Sequence, residues 1–171
     1  MNCRFLDWGN GMYWVAIYIA SIVAVNVGFV YVPLIDLGPL GMWPPMSLAV
    51  GLIFVVRDFA QRRVGHWVLP AMVVGIGLSY FMANPYVAVA SATAFAVSEL
   101  ADWLVYTATQ KPFAQRVVVS SAVGTPLDSA IFLGMIGHLS VVGVIVMTLS
   151  KMIAALVVWR FLRAEPFGEN K

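Results

Sequence analysis

Six apolar runs, at about 12–33, 43–57, 66–83, 85–107, 117–137 and 140–160, take up most of the 171-residue chain. A helix rises about 1.5 Å per residue, so about 20 apolar residues cross a hydrocarbon core. The runs are continuous rather than alternating, and too long for barrel strands. Only 11% of the residues are charged, against roughly a quarter in a soluble domain. The surface must mostly face lipid. The chain is therefore read as an all-α integral membrane protein, a single domain (1–171) of six transmembrane helices. The second and third runs are short and depend on their neighbours.

The breaks between runs carry turn chemistry. "VPLIDLGPLGMWPP" (32–45), with four prolines and two glycines, cannot be one regular element. "RRVGH", "MANPY", "TQKPFAQR" and "GHLS" mark the other turns. The first run is too long for a signal-peptide core and is read as a retained helix. A single cysteine, Cys3, excludes an internal disulfide and a Cys-cluster metal site.

Nine of the ten basic residues fall on one side of a six-span arrangement. Arg4 precedes the first run, and Arg57, Arg62 and Arg63 follow the second. Lys111 and Arg116 follow the fourth, and Arg160, Arg163 and Lys171 follow the sixth. Basic loops face the cytoplasm, so both termini are expected there. Topology thus accounts for the arginines of "FVVRDFAQRRVGH" (54–66) without a nucleic acid, since no basic or aromatic stripe extends the patch. Asp58 is not needed for orientation. It is expected at the cytoplasmic mouth, where it pairs with Arg57 or Arg62, caps the mouth or gates release.

The tenth basic residue, Lys151, falls near mid-membrane, as do Asn26, Glu99, Asp102 and Asp128. An ionised group at that depth costs about 2.5–3.5 kcal/mol on insertion scales, so these four charges would cost on the order of 10 kcal/mol facing lipid. They must converge on each other, on water or on a ligand. Glu99 and Asp102, three apart, share a helix face. Asp128 and Lys151 lie at comparable depths on adjacent helices and can pair. A purely structural network is the alternative, but glue between helices is usually Ser, Thr, Asn or Gln rather than three carboxylates. A substrate or ion pathway is favoured.

The small-residue runs "ASATAFAVS" and "VSSAVGTP" allow close helix approach. Pro126 removes a donor from the Ala122 carbonyl and is expected to break or kink the fifth helix. A short inverted similarity links "SELADWLVY" (98–106) to "GTPLDSAIF" (124–132). No Gly-rich phosphate loop, HExxH or GxSxG is present, and no His is buried in a run. The chain is not read as an enzyme, and no cofactor or metal is expected.

Several of these stretches resemble one family. "RDFAQRRVG" (57–65), "ASATAFAVSELADWLVY" (90–106), "SSAVGTPLDSAIF" (120–132), Lys151 in the last helix and Asn26 in the first are similar to the queuosine-precursor transporter family, also called vitamin uptake transporter-like. They occur in the same order across nearly the whole chain. Departures are Glu99, where many members carry Gln, and Arg62, where many carry Glu. The resemblance implies a six-helix inner-membrane importer of 7-cyano-7-deazaguanine or 7-aminomethyl-7-deazaguanine, feeding queuosine into tRNA. It also implies a fold like that of the substrate-binding components of energy-coupling-factor transporters.

A deazaguanine offers its ring N–H and amino group as adjacent donors, which a carboxylate accepts in a bidentate pair. Glu99 or Asp128 is expected as that acceptor, with Asp102 in support. Lys151 or Asn26 is expected to donate to the ring carbonyl, and Trp103 or Phe95 to stack on the ring. The lipid bilayer and this small molecule are the expected partners. A homo-oligomer is compatible with the sequence, and energy-coupling-factor partners are compatible but not favoured. The rival readings are a vitamin-binding component of such a transporter and a structural membrane protein without substrate.

Overall fold

The computed structural model describes residues 4–38, 42–82, 88–109 and 111–164. Cys3, Lys171 and most of the "MANPY" turn lie outside the described residues. Six α-helices account for most of the rest: α1 Arg4–Tyr31, α2 Ser47–Val64, α3 Val68–Met82, α4 Ala88–Ala108, α5 Phe113–Met135 and α6 Val141–Ala164. The proline-rich segment after α1 adds one departure from an all-α fold. Two-residue strands, β1 Ile35–Asp36 and β2 Met42–Trp43, pair antiparallel, with Ile35 opposite Trp43. Gly38 turns between them at φ +60, its N–H bonded to Asp36 Oδ1 at 2.8 Å.

Side-chain pairings fix the directions of the helices. Gly11 lies by Val64 and Gly28 by Met46, so α1 and α2 are antiparallel. Ile22 lies by Gly75 and Asn26 by Ser79, so α1 and α3 are parallel. Phe95 meets Gly75, Ser98 meets Asp128 and Lys151 meets Asp128, which continues the alternation through α4, α5 and α6. The chain therefore reverses between α2 and α3. It does so in a single 3₁₀ turn, Gly65–Trp67, opened by Gly65 at φ +59.

That turn corrects the expected boundaries. The second run was expected to end at Arg57 because a charge there reads as a helix end. The helix instead continues to Val64, since Arg57 and Asp58 face the bundle interior, fully buried. Only three residues then separate α2 from α3. By length and hydropathy the described residues hold five stretches able to cross a membrane rather than six: Gly11–Tyr31, Ser47–Met82, Ala88–Ala108, Phe113–Met135 and Val141–Leu162. The second of these, 36 residues long, is the folded pair α2–α3. Drawn straight it would reach about 54 Å, against a hydrocarbon core of about 30 Å. This is a helical, multi-pass membrane protein.

The bundle is polar inside and apolar outside. Val30, Val73, Phe81, Leu149 and Phe161 are exposed on its surface, while Arg57, Lys151, Glu99, Asp58 and Asp102 rank among the largest fully buried side chains. Such inversion suits a lipid solvent, where apolar side chains need no shelter. The apolar part of the interior centres on Tyr18, Ile22, Ile53, Val68, Met72 and Phe95. Small residues set the helix spacing. A Cβ on Gly51 would strike the Lys151 carbonyl, and one on Gly124 would lie 3.0 Å from Asp102 Cβ and 3.3 Å from the Ser98 carbonyl.

Pro126 does not break α5, contrary to expectation. The helix runs through it from Phe113 to Met135. Around the proline, Thr125 Oγ1 donates to the Ser121 carbonyl at 2.8 Å and Ser129 Oγ to the Thr125 carbonyl at 2.9 Å. Neither bond reaches the Ala122 carbonyl, the one whose donor the proline removes.

Candidate functional site

The polar interior divides into two layers, one lining a cavity and one sealed beneath it. The cavity holds about 520 Å³, within the range of small-molecule sites. Four of the residues singled out from the sequence line it together: Asn26, Phe95, Asp128 and Lys151. Val32, Pro33, Leu34 and Pro44, from the segment carrying the β pair, lie at one end of it. A second cleft of about 410 Å³, by Asp36, His138 and Ser140, holds none of the buried charges.

In the cavity wall, Lys151 Nζ donates to Asp128 Oδ2 at 2.5 Å and to Ser129 Oγ at 3.0 Å. Ser98 Oγ reaches Asp128 Oδ1 at 3.3 Å. Both charges are buried and mutually compensated, the condition under which an ion pair survives in a low dielectric. Across from them, Asn26 Nδ2 donates to the Ile22 carbonyl at 2.9 Å and to Ser79 Oγ at 3.3 Å. Ser47 Oγ also lines the cavity; it is buried and has no hydrogen-bond partner among the described residues. A buried hydroxyl without a partner is costly unless a ligand or water meets it. Trp43 Nε1 donates to Ser150 Oγ at 2.8 Å, tying the β pair to α6 one residue from Lys151.

The second layer is built on Arg57. Its guanidinium faces Asp58 Oδ1 at 3.0 Å, Glu99 Oε2 at 3.5 Å and the Asp102 carboxylate, and all four side chains are fully buried. Arg57 Nη1 also donates to Gln61 Oε1 at 2.6 Å, and Gln61 Nε2 to Thr107 Oγ1 at 2.9 Å. Tyr18 OH donates to Glu99 Oε2 at 2.9 Å, and Ser120 Oγ to Asp58 Oδ2 at 3.1 Å. Four helices are thereby joined around one cation. None of Arg57, Asp58, Glu99 or Asp102 lines the cavity. The layer lies on the side of the cavity away from the β pair, toward the α2–α3 turn.

Several expected placements change. Glu99 and Asp102 belong to the Arg57 layer, not to the cavity. Asp58 is not at a mouth but inside the bundle. Arg62 is exposed, its guanidinium over the Phe113 ring at 4.4 Å, and takes no part in the buried layer. Trp103 does not line the cavity either. It lies two turns beyond Phe95, about 12 Å along α4, and packs edge-on against His66 at 5.5 Å. Tyr18, Ser47, Gln61, Ser79 and Ser120 are not among the residues singled out from the sequence, and Arg57, expected to orient the chain or to pair with Asp58, does pair with Asp58 at 3.0 Å, but inside the bundle. One trace of that layer was legible: Gln61, one helical turn after Arg57, gives the guanidinium a partner on its own helix.

Among the described residues no group of three or more His, Cys, Asp or Glu side chains is arranged to hold a metal ion. The arrangement can bind and orient a polar, planar solute between a ring, an ion pair and an amide. Comparison of the chain with protein-family patterns, curated proteins and solved structures found no match.

Proposed function

We propose that the chain is an importer of 7-deazaguanine precursors of queuosine, working in the inner membrane. The observation that carries this reading is the Asp128–Lys151 pair beside Phe95 in a bundle-interior cavity. Asp128 accepts the ring N–H and amino group, Lys151 or Asn26 donates to the ring carbonyl, and Phe95 stacks on the ring. Of the two acceptors expected from the sequence, Asp128 is favoured because it lines the cavity and Glu99 does not.

The reversal between α2 and α3 supports six crossings. Arg62 and Arg63 then share a side with Lys111, Arg116 and Arg160, and that side is cytoplasmic. The cavity, with the β-pair segment at one end, faces the opposite side. The Arg57 layer closes it from the cytoplasm.

The test is queuosine rescue. Cells unable to make the precursors are supplied with them, with and without this gene, and tRNA queuosine is measured. Rescue dependent on Asp128 and Lys151 is the expected result. No rescue by a well-expressed protein sinks the reading, and rescue only alongside an added ATPase pair and scaffold favours a vitamin-type binding component.

A further inference from the structure

The Arg57 layer has a charge imbalance: among the described residues no second buried cation faces its carboxylates. Three carboxylates, Asp58, Glu99 and Asp102, face one guanidinium, all of them fully buried. Lys151 does not balance them, because it is committed to Asp128 in the other layer. If all three acids were ionised, two negative charges would stand uncompensated inside the bundle. An uncompensated buried charge is too costly to persist, and a carboxylate in that position takes up a proton instead.

The structure indicates where a proton fits. Two oxygens of the layer, Glu99 Oε1 and Asp102 Oδ1, are buried with no hydrogen-bond or ion-pair partner among the described residues, whereas Glu99 Oε2 is engaged by Tyr18 and faces Arg57, and Asp102 Oδ2 faces Arg57. The groups around Glu99 leave few competitors. They are Tyr18 from α1, Arg57 and Asp58 from α2, Asp102 on its own helix, and Asp128 of α5 across Ser98. Lys151 is the buried cation of α6, and His66 is exposed and packs against Trp103. The one titratable side chain of α3, Tyr80, is exposed near the far end of that helix. The guanidinium already fills the centre of the carboxylates, so a coordinated metal cation has no place there.

We infer that the Arg57–Asp58–Glu99–Asp102 layer is a proton-binding gate, with Glu99 and Asp102 as its acids, and that transport is coupled to its protonation. Each proton arrives from water and forms an O–H bond, on Glu99 Oε1 or Asp102 Oδ1; departure of the Glu99 proton restores that carboxylate and strengthens the hold on Arg57. Ser98 and Glu99 are consecutive, one bonded to Asp128 in the cavity wall and the other facing Arg57. A shift of α4 caused by a ligand at Asp128 therefore reaches the gate directly. The coupling rests on the transport reading; the proton site does not.

The experiment has two arms on the purified full chain. Infrared spectra of wild type across a pH series are expected to show the carbonyl stretch of a protonated carboxylic acid near neutral pH. Glu99→Gln, with Asp102→Asn as a second variant, is expected to lose or shift it. A wild-type spectrum without this band, or a band unchanged in both variants, overturns the proton site whatever the substrate. The second arm loads vesicles with a pH-sensitive dye and supplies a 7-deazaguanine. With one proton per substrate, accumulation is expected to change about tenfold for each unit of imposed pH gradient. Glu99→Gln is expected to bind the substrate but lose that dependence. Uptake indifferent to pH, or driven by sodium, overturns the coupling; failure of wild type to bind the substrate overturns the transport reading and leaves the infrared result standing.

Discussion

Arg57 and Glu99 lie on different helices, yet the Arg57 Nε is 3.5 Å from Glu99 Oε2, with neither side chain reaching solvent. With Asp58 and Asp102 they hold α2 against α4. Replacing Arg57 by Met would leave the buried acids Asp58, Glu99 and Asp102 without a cation. Breaking one side of a buried pair costs about 3–5 kcal/mol. Arg57→Met is therefore expected to unfold at markedly lower denaturant in detergent, and the double variant Arg57→Met/Glu99→Gln to recover part of the loss. A double variant no more stable than the single one would show that Glu99 is not coupled to Arg57.

The ion pair in the cavity wall makes a second prediction. Lys151→Met removes the cation that Asp128 faces at 2.5 Å and is expected to lower both stability and uptake. Adding Asp128→Asn is expected to restore stability, because a neutral pair needs no compensation. It is not expected to restore uptake. Thermal unfolding and queuosine rescue, measured on the same three variants, separate the two effects.

Phe95 and Trp103, both on α4, offer a third test. Phe95 lines the cavity and Trp103 does not. A base stacked on an aromatic ring gains about 1–3 kcal/mol, so Phe95→Ala is expected to weaken binding of a 7-deazaguanine by roughly 5- to 150-fold. Trp103→Phe is expected to leave affinity unchanged. Equilibrium binding to the purified protein reads both, and a strong effect at Trp103 would move the stacking surface away from the cavity.

The spacing of α2 and α6 depends on a glycine. A Cβ at Gly51 would meet the backbone carbonyl of Lys151, which cannot turn aside as a side chain can. Gly51→Ala is expected to cost about 1–3 kcal/mol by forcing the helices apart, and to displace Lys151 from Asp128. Gly134→Ala, where an added Cβ would meet open space rather than a neighbouring helix among the described residues, serves as the control and is expected to be neutral or slightly stabilising in its helix. Both are read by thermal unfolding.

Much of the interior was legible from chemistry that does not belong in lipid. Asn26, Glu99, Asp102, Asp128 and Lys151 each interrupt an apolar run, and all five are buried. The pairing of Asp128 with Lys151 followed from depth along adjacent helices. Depth alone could not separate the layers, because Ser98 and Glu99 differ by about 100° around α4 and so face different partners. Arg57 was misread for a related reason. A charge near the end of an apolar run resembles a helix terminus, and its burial depends on carboxylates supplied by α4, far along the chain. Likewise a proline alone does not decide a break, since neighbouring helices can hold a helix continuous through it, as α5 runs from Phe113 to Met135 through Pro126.

The three-residue turn at Gly65–Trp67 also bears on how the chain enters its membrane. Arg57 and Asp58 leave the ribosome before Glu99 and Asp102 exist, so α2 emerges with no carboxylate from α4 to receive its guanidinium. Until α4 arrives, Arg57 has Asp58 and Gln61 of its own helix as partners, so α2 is costlier to bury at first than in the finished bundle. Joined by so short a turn, α2 and α3 are expected to enter together as a hairpin once α4 is available. A chain stopped after α3 should leave this hairpin accessible to a water-soluble thiol label at an engineered cysteine in α2, whereas a chain extended through α4 should bury it. The order of synthesis is then part of what makes the buried arginine tolerable.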